Sequence, residues 1–421
     1  MSHTIPSLWA ATARPPLDLP APEGEMRADV AIVGAGFTGL SAALRLAGGG
    51  ASVIVLDTHA PGFGASGRNG GQIIPGIKID PDGIDRVYGE ATTDFAGKTA
   101  DTTLALIEAH GIDCDAHRDG WIQGSVKKAH LAQIERRAEQ WRKRGANVAL
   151  LSREEVRART GSAIFEGGWF DGRAGRLHPL NYATGLAEAA RTAGADIRVG
   201  AAATQLARQG RDWRIDLANG ASVTAGQVIV ATNGYSGPLF PELRASLVPA
   251  GSFQVATAPL PETLLSRILP GRSVVSDTRR VGNYFRIGPE NRLMMGGRGT
   301  FTDTPADAAF ARVTDDLHAT FPETRDQPIA YRWTGRVAMT ADHLPHVHQP
   351  LPGLVMAAGY NGRGVALSSA LGTAIGAHLL DAAQPLPFRF TDIRPLPVHA
   401  LHPVYATLAI WYYRLRDALE S

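Results

Sequence analysis

The sequence has few of the features that would tie it to an oxidising compartment, a membrane or a polyanion. It contains one cysteine, Cys114, among 421 residues, which excludes an intrachain disulfide and is typical of a reducing compartment. Nothing near Cys114 resembles the base of a nucleophilic thiol, so we assign it no catalytic role. Lys and Arg number 42 and Asp and Glu 40, and the net charge of +2 gives no ground to expect a nucleic-acid partner.

Long apolar runs are also missing. No stretch approaches the roughly 18 consecutive apolar residues of a membrane-spanning helix, and the N-terminal segment lacks the apolar centre of a secretory signal. We therefore expect a cytoplasmic protein without a membrane span. No spacing of His, Cys and Asp suggests a metal site, so none is predicted. Hydrophobic residues still make up 44% of the chain, enough for a large core in two or three domains.

Glycine, by contrast, is abundant, with 47 residues, and the first glycine-rich loop organises the chain. The apolar run Val30 to Val33 leads into GAGFTG at 34–39 and then into a helical pattern. In such a loop the first glycine makes the turn, the second lets the backbone approach a pyrophosphate, and the third lets the helix pack on the strand. A second strand then ends at an acid that can accept hydrogen bonds from an adenosine ribose. This order predicts a dinucleotide site rather than a chance glycine turn, with contacts from Gly34, Gly36, Phe37, Thr38, Gly39 and Asp57.

Two further loops repeat this chemistry. The second, Gly62 to Gln72, consists mainly of small residues whose backbone amides can crowd a planar or anionic ligand; the alternative is a flexible loop. The side chains in it that can bond a ligand are Ser66, Arg68, Asn69 and Gln72. The third loop, Gly359 to Val365, follows a buried strand and precedes a helix whose N-terminus can face an electron-rich group.

The rest of the chain alternates between helical and strand patterns. The predicted helices cover 94–110, 127–144, 179–193 and 304–321. The predicted strands include a pair within 167–178, a hairpin around Asn219-Gly220, a separate strand at 227–232, and β segments at 247–258, 281–287 and 292–296. We expect residues 1–26 to form an arm anchored by Leu8 and Trp9, and the aromatic segment 402–419 to pack on its own or a neighbouring protomer rather than on a membrane.

Four motifs together resemble one family. They are VAIVGAGFTGLSAALRLA with Asp57, GASGRNGGQ, ATNGY and GYNGRGVALSSALG. The chain resembles the flavin-dependent amine and amino-acid oxidases that include D-amino-acid oxidase, glycine oxidase and sarcosine oxidase, and within them the γ-glutamylputrescine oxidase-like members. The resemblance implies an α/β fold in which a Rossmann-like FAD-binding domain of the GR2 type is assembled from 1–90, 152–234 and 333–385. It also implies an α+β substrate domain with a mainly antiparallel sheet from 91–151 and 235–332, and a tail at 386–421.

The resemblance implies FAD as the cofactor. Beyond the first loop, the implied FAD contacts are Ser66, Arg68, Asn69, Gly70, Gly71, Gln72, Thr232, Gly234, Gly362, Arg363, Gly364 and Val365. Sarcosine oxidase relatives attach the flavin to a cysteine in the segment that here reads Trp333 to Val337, where no cysteine stands. We therefore expect non-covalent FAD.

The resemblance also implies the reaction: hydride passes from the carbon beside an amine nitrogen to flavin N5, water hydrolyses the imine, and O2 is reduced to H2O2. Relatives that oxidise α-amino acids place an arginine or lysine where our alignment puts Val337 and Ala366, which favours an amine whose carboxylate is remote or absent, such as γ-glutamylputrescine. The catalytic candidates are Tyr284, Arg286, Trp333 and Arg336. Tyr284 either lines the site or packs in the core, Arg286 either pairs a remote carboxylate or is a solvated sheet arginine, and His178 and His343 are expected to be structural.

Three other functions stay open. The first is a flavin dehydrogenase that passes electrons to a quinone or carrier protein, supported only by the aromatic tail. The second, an NAD-dependent dehydrogenase, does not explain the second and third glycine loops. The third is a non-catalytic flavin-binding sensor or subunit. We expect a monomer or homodimer, a small amine as substrate and O2 as acceptor.

Overall fold

The computed structural model describes residues 7–299 and 307–419. Its α-helices are α1 (Leu8–Thr12), α2 (Phe37–Ala47), α3 (Pro81–Tyr88), α4 (Glu90–Ala109), α5 (Leu131–Lys143), α6 (Arg153–Thr160), α7 (Pro179–Thr192), α8 (Pro241–Ala245), α9 (Glu262–Leu265), α10 (Asp307–Thr320), α11 (Gly364–Leu380) and α12 (His402–Leu419). They confirm the four predicted helices, except that 304–306 lie outside the described residues. Leu8 and Trp9 are fully buried, as expected of an anchored arm, although its first six residues are outside the description.

Eighteen strands are described, and they form two large sheets and one small one. The strands are β1 (Glu25–Val33), β2 (Val53–Leu56), β3 (Gln72–Ile73), β4 (Trp121–Ser125), β5 (Val148–Leu151), β6 (Gly167–Asp171), β7 (Gly175–Arg176), β8 (Asp196–Arg198), β9 (Ala203–Gln209), β10 (Asp212–Leu217), β11 (Ser222–Val230), β12 (Val248–Pro259), β13 (Val274–Asp277), β14 (Tyr284–Ile287), β15 (Arg292–Arg298), β16 (Ile329–Met339), β17 (His346–Leu351) and β18 (Leu354–Ala358).

The first large sheet has the order β17-β18-β11-β1-β2-β8, and β9 and β10 extend it from β11. Strands β18, β11, β1, β2 and β8 are parallel, so their carboxyl ends meet at one edge, where open α/β sheets bind ligands. The first and third glycine loops follow β1 and β18, the two strands that flank β11, and therefore lie at this same edge. The predicted hairpin at Asn219-Gly220 is confirmed, but a separate strand at 227–232 is wrong. Residues 222–230 form one strand because β1 pairs along its whole length.

The second large sheet has the order β16-β12-β15-β14-β13-β4-β6-β5 and is antiparallel except for the β4–β13 pair. The predicted strand pair within 167–178 is wrong: β6 joins this sheet between β4 and β5, whereas β7 pairs with β3 in the small sheet. Strands β6 and β16 thus belong to the second sheet, although the residue ranges expected for the FAD domain include all of β6 and residues 333–339 of β16. The division of the chain into domains stays a prediction.

Helices α2, α4, α7 and α11 pack together on one face of the first sheet and share its core. The contact between α2 and α11 is backbone-close, because a Cβ on Gly372 would overlap the Thr38 carbonyl oxygen. Leu40, Ala366 and Leu371 are fully buried in this core. This packing places the N-termini of α2 and α11 beside each other at the ligand-binding edge of the sheet.

Helix α12 lies on the surface. Ala406 and Ile410 on its inner side are buried, while Leu408, Trp411 and Leu415 remain 64%, 66% and 58% exposed. The segment therefore packs on its own chain by one face only. No helix within the described part of the chain is long and apolar enough to cross a membrane.

Candidate active site

One cavity of ≈ 770 Å³ joins the three glycine loops to the face of the second sheet. Its lining includes Gly34, Asp57 and Thr232 at the edge of the first sheet, and Tyr284 and Arg298 from the second. The glycine loops therefore line one end of the cavity, and antiparallel strands wall the other end.

The first loop is fixed by the contacts that its glycines allow. Gly34 has φ of 113°, in the region that favours glycine, and a Cβ there would lie 2.9 Å from the Ala231 carbonyl oxygen. A Cβ on Gly39 would overlap the carbonyl oxygen of Gly34. Gly36 begins α2 as its N-cap, so the first amides of that helix point toward the cavity. Gly39 itself does not line the cavity; its role is the close packing of helix and strand.

Asp57 uses both carboxylate oxygens to hold this loop. Its Oδ2 accepts from the Ala35 amide at 2.7 Å, and its Oδ1 accepts from the His59 amide at 2.9 Å. Burial raises the pKa of Asp57, while these backbone hydrogen bonds oppose the rise. An oxygen with two acceptor sites can still take a further hydrogen bond from a ribose.

The side chains of the second loop mainly organise the loop itself. Ser66 Oγ accepts from the Phe37 amide at 3.0 Å, and Asn69 Oδ1 accepts from the Gly71 amide at 2.8 Å. Arg68 Nε donates to the Phe63 carbonyl at 2.7 Å. Gln72 Nε2 reaches the second sheet, at the carbonyls of residues 275 and 285. The backbone amides of the loop are thus positioned by its own polar residues, and a ligand would meet mostly backbone.

The third loop holds the N-terminus of α11 against the cavity. Asn361 is buried with φ of 51°, and its Oδ1 accepts from the Thr340 amide at 3.0 Å. Tyr360 Oη lies 2.6 Å from Thr38 Oγ1 and so joins this loop to α2. The 17-residue α11 then begins, and its N-terminus faces the cavity through Gly364 and Val365, preceded by Gly362 and the N-cap residue Arg363. The positive end of a helix dipole here favours an electron-rich group.

The segment after β11 completes the cofactor end. Thr232 and Gly234 line the cavity, and Thr232 Oγ1 lies 2.7 Å from Ser236 Oγ. Arg336 also lies at this end, because its guanidinium stacks 5.3 Å from the centre of the Tyr235 ring and its neighbour Gly335 approaches the Arg68 side chain. The structure thus places Arg336 beside the second loop.

Tyr284 lines the cavity, in agreement with the site-lining alternative. Its hydroxyl lies 2.7 Å from Ser252 Oγ. Its ring lies against Gly70 and Gly296, where a side chain would collide with it. Burial raises the pKa of Tyr284 to about 12, so the phenol stays protonated at neutral pH.

Two of the predicted catalytic residues do not reach the cavity. Trp333 is 5% exposed, and its Nε1 donates to the Arg68 carbonyl at 3.1 Å. Arg286 is 1% exposed and donates through Nη1 to the carbonyls of Gly71 and Leu177 at 2.8 and 3.0 Å, so the solvated interpretation is wrong. Tyr284 and Arg286 are two residues apart on β14 and share one face of the sheet, but the second glycine loop covers Arg286 at Gly71 and closes it off from the cavity.

His178 is structural, as expected: it is buried, and its Nδ1 accepts from the Asn181 amide at the start of α7. His343 does not line the cavity, and burial lowers its pKa. Among the described residues, no group of three or more His, Cys, Asp or Glu side chains is arranged to hold a metal ion.

Residues that the sequence did not single out also line the sheet-walled end. They include Lys78, Gln123, Ser276 and Arg298. Lys78 follows the second glycine loop by only six residues, and Arg298 lies two residues from Gly296 on the same face of β15. The strand period of two was therefore the one available signal for Arg298.

Comparisons with known proteins agree on one family. The family model described as DAO, FAD dependent oxidoreductase, matches residues 29–377. The chain is 32% identical to gamma-glutamylputrescine oxidoreductase of Escherichia coli over the whole of both chains. It is 34% identical to a probable oxidoreductase OrdL of Rhizobium meliloti, over 84% of this chain and 83% of that one.

Solved structures show the same fold. Glycine oxidase from Geobacillus kaustophilus superposes with a TM-score of 0.74 at 22% identity, covering 88% of this chain and 99% of the other. Iminodiacetate oxidase from Chelativorans sp. BNC1 superposes with a TM-score of 0.72 at 20% identity, covering 87% and 98%. At this identity the likeness concerns the fold alone.

The cavity fits FAD on its own evidence. Three loops present glycine backbone and two helix N-termini to one elongated space. The only cysteine, Cys114, is buried and does not line the cavity, so no thiol is placed to bond the flavin covalently. This chain is therefore a member of the DAO family of FAD-dependent oxidoreductases, with FAD held non-covalently.

Proposed function

We propose that this enzyme oxidises the C–N bond of a primary or secondary amine, such as γ-glutamylputrescine or a related amino compound, with O2 as the electron acceptor and H2O2 as a product. The observation that carries the proposal is that the glycine loops and Tyr284 line one continuous cavity. The full-length similarity to gamma-glutamylputrescine oxidoreductase supports the substrate class. When bound, FAD supplies the hydride acceptor for this chemistry.

The residues of the chain contribute positioning and desolvation. A primary amine must be neutral to lose hydride from its neighbouring carbon. Burial of the substrate between the glycine loops and the second sheet disfavours a charged amine and therefore favours the neutral form. The Tyr284 hydroxyl, protonated and held near Ser252, can donate a hydrogen bond to the substrate.

Anaerobic bleaching of the enzyme-bound flavin, at a wavelength of roughly 450 nm where oxidised flavins absorb, tests the proposal. γ-Glutamylputrescine and related amines are compared with glycine, sarcosine and a D-amino acid. We expect bleaching with the first group and little with the second, because Val337 lines the cavity where an α-carboxylate partner would be needed. Bleaching by the α-amino acids alone would contradict the proposed substrate class, and no bleaching with any amine would favour the non-catalytic alternative.

A dehydrogenase that delivers electrons to a membrane quinone is the second candidate function. The observation that favours it is the exposed apolar face of α12, with Leu408, Trp411 and Leu415. The stoichiometry of H2O2 formed per amine consumed separates the two. One peroxide per turnover in air-saturated buffer supports the oxidase, whereas turnover only with an added quinone supports the dehydrogenase.

A further inference from the structure

Three cationic side chains that line the cavity lack an acidic partner at salt-bridge distance among the described residues. Lys78, Arg298 and Arg363 all line this cavity. Within residues 7–299 and 307–419, none of the three forms an ion pair with a carboxylate; the charge of Asp171 acts on Arg363 from beyond salt-bridge distance. An enclosed wall with this excess of positive charge is suited to an anion.

Two other arginines along the same cavity are neutralised by acids of the protein. Arg279 Nε donates to Asp277 Oδ2 at 2.9 Å, and Arg280 Nη1 donates to Asp417 Oδ1 at 2.8 Å. Arg68, which also lines the cavity, donates to the backbone carbonyls of Phe63 and Thr334. Lys78, Arg298 and Arg363 have no acid of the described chain at salt-bridge distance, and this leaves their charges open to a ligand.

The weak contacts of the three cations leave their donors available. Arg363 stacks 4.4 Å from the centre of the Trp121 ring, and its Nη1 is 3.5 Å from the Pro75 carbonyl oxygen. Arg298 has only the Met339 sulfur near Nη2, at 4.0 Å. Lys78 donates to no group in the described part of the chain. Most of the N–H donors of these side chains therefore remain free for an anion.

The electrostatics agree that the three groups are neighbours. Burial, followed by the charges of Arg363, Arg298 and Arg137, lowers the pKa of Lys78 to about 7. Lys78 keeps much of its accessible surface and lines the cavity. The charges of the neighbouring arginines therefore support the downward direction of this pKa shift. Arg137 is itself paired, through Nε, with Asp80 at 2.5 Å.

The wall is long enough for an extended substrate. Arg298 ends β15, Tyr284 lies on β14, Ser276 on β13 and Gln123 on β4, and all four line the cavity. From β15 to β4 the wall crosses three inter-strand spacings, or about 14 Å. A molecule spanning part of this wall can place one end beside Tyr284 and the other among the cations.

We propose that Lys78, Arg298 and Arg363 form an anion-recognition subsite, and that the substrate is an amine with a carboxylate several bonds from the reacting carbon. This inference rests on the proposed oxidation of amines and adds which amines are selected. Arg298 and Lys78 act as specificity-determining residues, since they offer charge-assisted hydrogen bonds to the distant carboxylate. Arg363 supports them from the N-terminus of α11.

The first arm of the test uses the holoenzyme and a chain-length series. Anaerobic flavin reduction is measured with ω-amino carboxylates from 4-aminobutyrate to 8-aminooctanoate and with alkylamines of matched length. We expect the carboxylates of one length range to reduce the flavin about tenfold or more faster than the matched alkylamines. One charge-assisted hydrogen bond contributes enough free energy for a difference of this size. Equal rates with and without the carboxylate at every length would overturn the inference while leaving amine oxidation intact.

The second arm does not depend on turnover. Binding of hexanoate and of neutral hexanamide to the holoenzyme is followed through the flavin absorption spectrum and by calorimetry. Wild-type enzyme should bind hexanoate about tenfold more tightly than the amide, and K78Q and R298Q should each lose most of that difference. The matched control R142Q removes an arginine charge from the exposed face of α5 and should keep it.

The two arms separate the possible failures. If no amine reduces the flavin but hexanoate binds with the expected variant effects, the proposed function fails and the anion subsite stands. If hexanoate and hexanamide bind alike in wild type, or if both K78Q and R298Q with full flavin content keep the wild-type preference, the anion subsite is wrong. Because two separate variants are measured, the test still gives a result if one of them folds poorly.

Discussion

At the scale of single residues, the surroundings of Lys78 determine how far its amine is protonated. Burial and three arginines lower its pKa to about 7, so the amine is only partly protonated at neutral pH. An anion placed beside it would restore the proton, because an opposite charge favours the charged form. The affinity for an anion and the protonation of Lys78 are therefore linked.

The first prediction is a pH dependence of anion binding. Because Lys78 is charged below about pH 7 and neutral above it, hexanoate should bind more weakly as the pH rises from 6 to 8. The K78Q variant has no proton to lose there, so its dissociation constant should stay nearly flat. Calorimetric titrations at four pH values check this. A wild-type constant that does not change would contradict the role of Lys78.

The second prediction concerns Tyr284. Y284F removes the hydroxyl near Ser252 and should lower kcat/KM by up to about tenfold, the equivalent of a hydrogen bond of roughly 0.5–1.5 kcal/mol. Since the pKa of Tyr284 is raised to about 12, the alkaline limb of the pH profile below that value should not move. Flavin content should match wild type. Y405F, on the surface helix, is the control; a shifted alkaline limb in Y284F would show that the phenol acts as a base.

At the scale of elements, the contact between α2 and α11 determines where two helix N-termini point. Gly372 lies against the Thr38 carbonyl, and a Cβ on Gly376 would lie 2.9 Å from the Ala42 carbonyl oxygen. These glycines let the two helices touch through their backbones. The first and third glycine loops are consequently held together although Gly39 and Gly359 are 320 positions apart in the sequence.

The third prediction tests that contact. G372A would force α11 away from α2 and should destabilise the protein by roughly 1–3 kcal/mol, with a lower flavin content. G83A is the matched control, because Gly83 also lies in a helix but its Cβ would make only ordinary contacts, the nearest at 3.6 Å. It should be neutral or stabilising by about 0.5–1 kcal/mol. Thermal unfolding of both variants decides; equal melting temperatures would refute the close-contact argument.

At the scale of the whole molecule, both large sheets contribute to the one cavity that fits FAD. The first sheet supplies the glycine loops, while β12, β14 and β16 of the second supply the opposite wall. A ligand that binds only the folded form stabilises it by mass action. FAD should therefore stabilise both sheets together.

The fourth prediction follows from non-covalent binding at this junction. Acid or heat should release all the flavin into the supernatant, and apoprotein should regain it on addition of FAD. Free FAD at 100 times its dissociation constant should stabilise the fold by about 2.7 kcal/mol. Precipitation with acid and spectroscopy of both fractions check the release. Yellow colour that stays with the protein pellet would show a covalent bond.

Local signals made much of this molecule predictable. The strand, GAGFTG loop and helix around Gly34 follow from neighbouring residues, and so does the hairpin at Asn219-Gly220. Pairing between distant strands was not local: β6 and β7 lie four residues apart in the sequence but belong to different sheets. No local feature of the sequence distinguishes the environment of Arg286 from that of Arg298. The second glycine loop packs on the second sheet and buries Arg286, whereas Arg298 lines the cavity, and this tertiary contact cannot be read from neighbouring residues.

Two buried tryptophans donate hydrogen bonds to the second glycine loop, so their fluorescence should report on the surroundings of that loop. Trp9 Nε1 donates to the Asn69 carbonyl at 2.8 Å, Trp333 Nε1 donates to the neighbouring Arg68 carbonyl at 3.1 Å, and their rings lie 6.1 Å apart. Indole emission overlaps flavin absorption, so energy transfer from this pair should quench their fluorescence when FAD is bound. The ultraviolet emission of the protein can thus serve as a built-in gauge of cofactor occupancy, and W9F and W333F would each remove part of its signal.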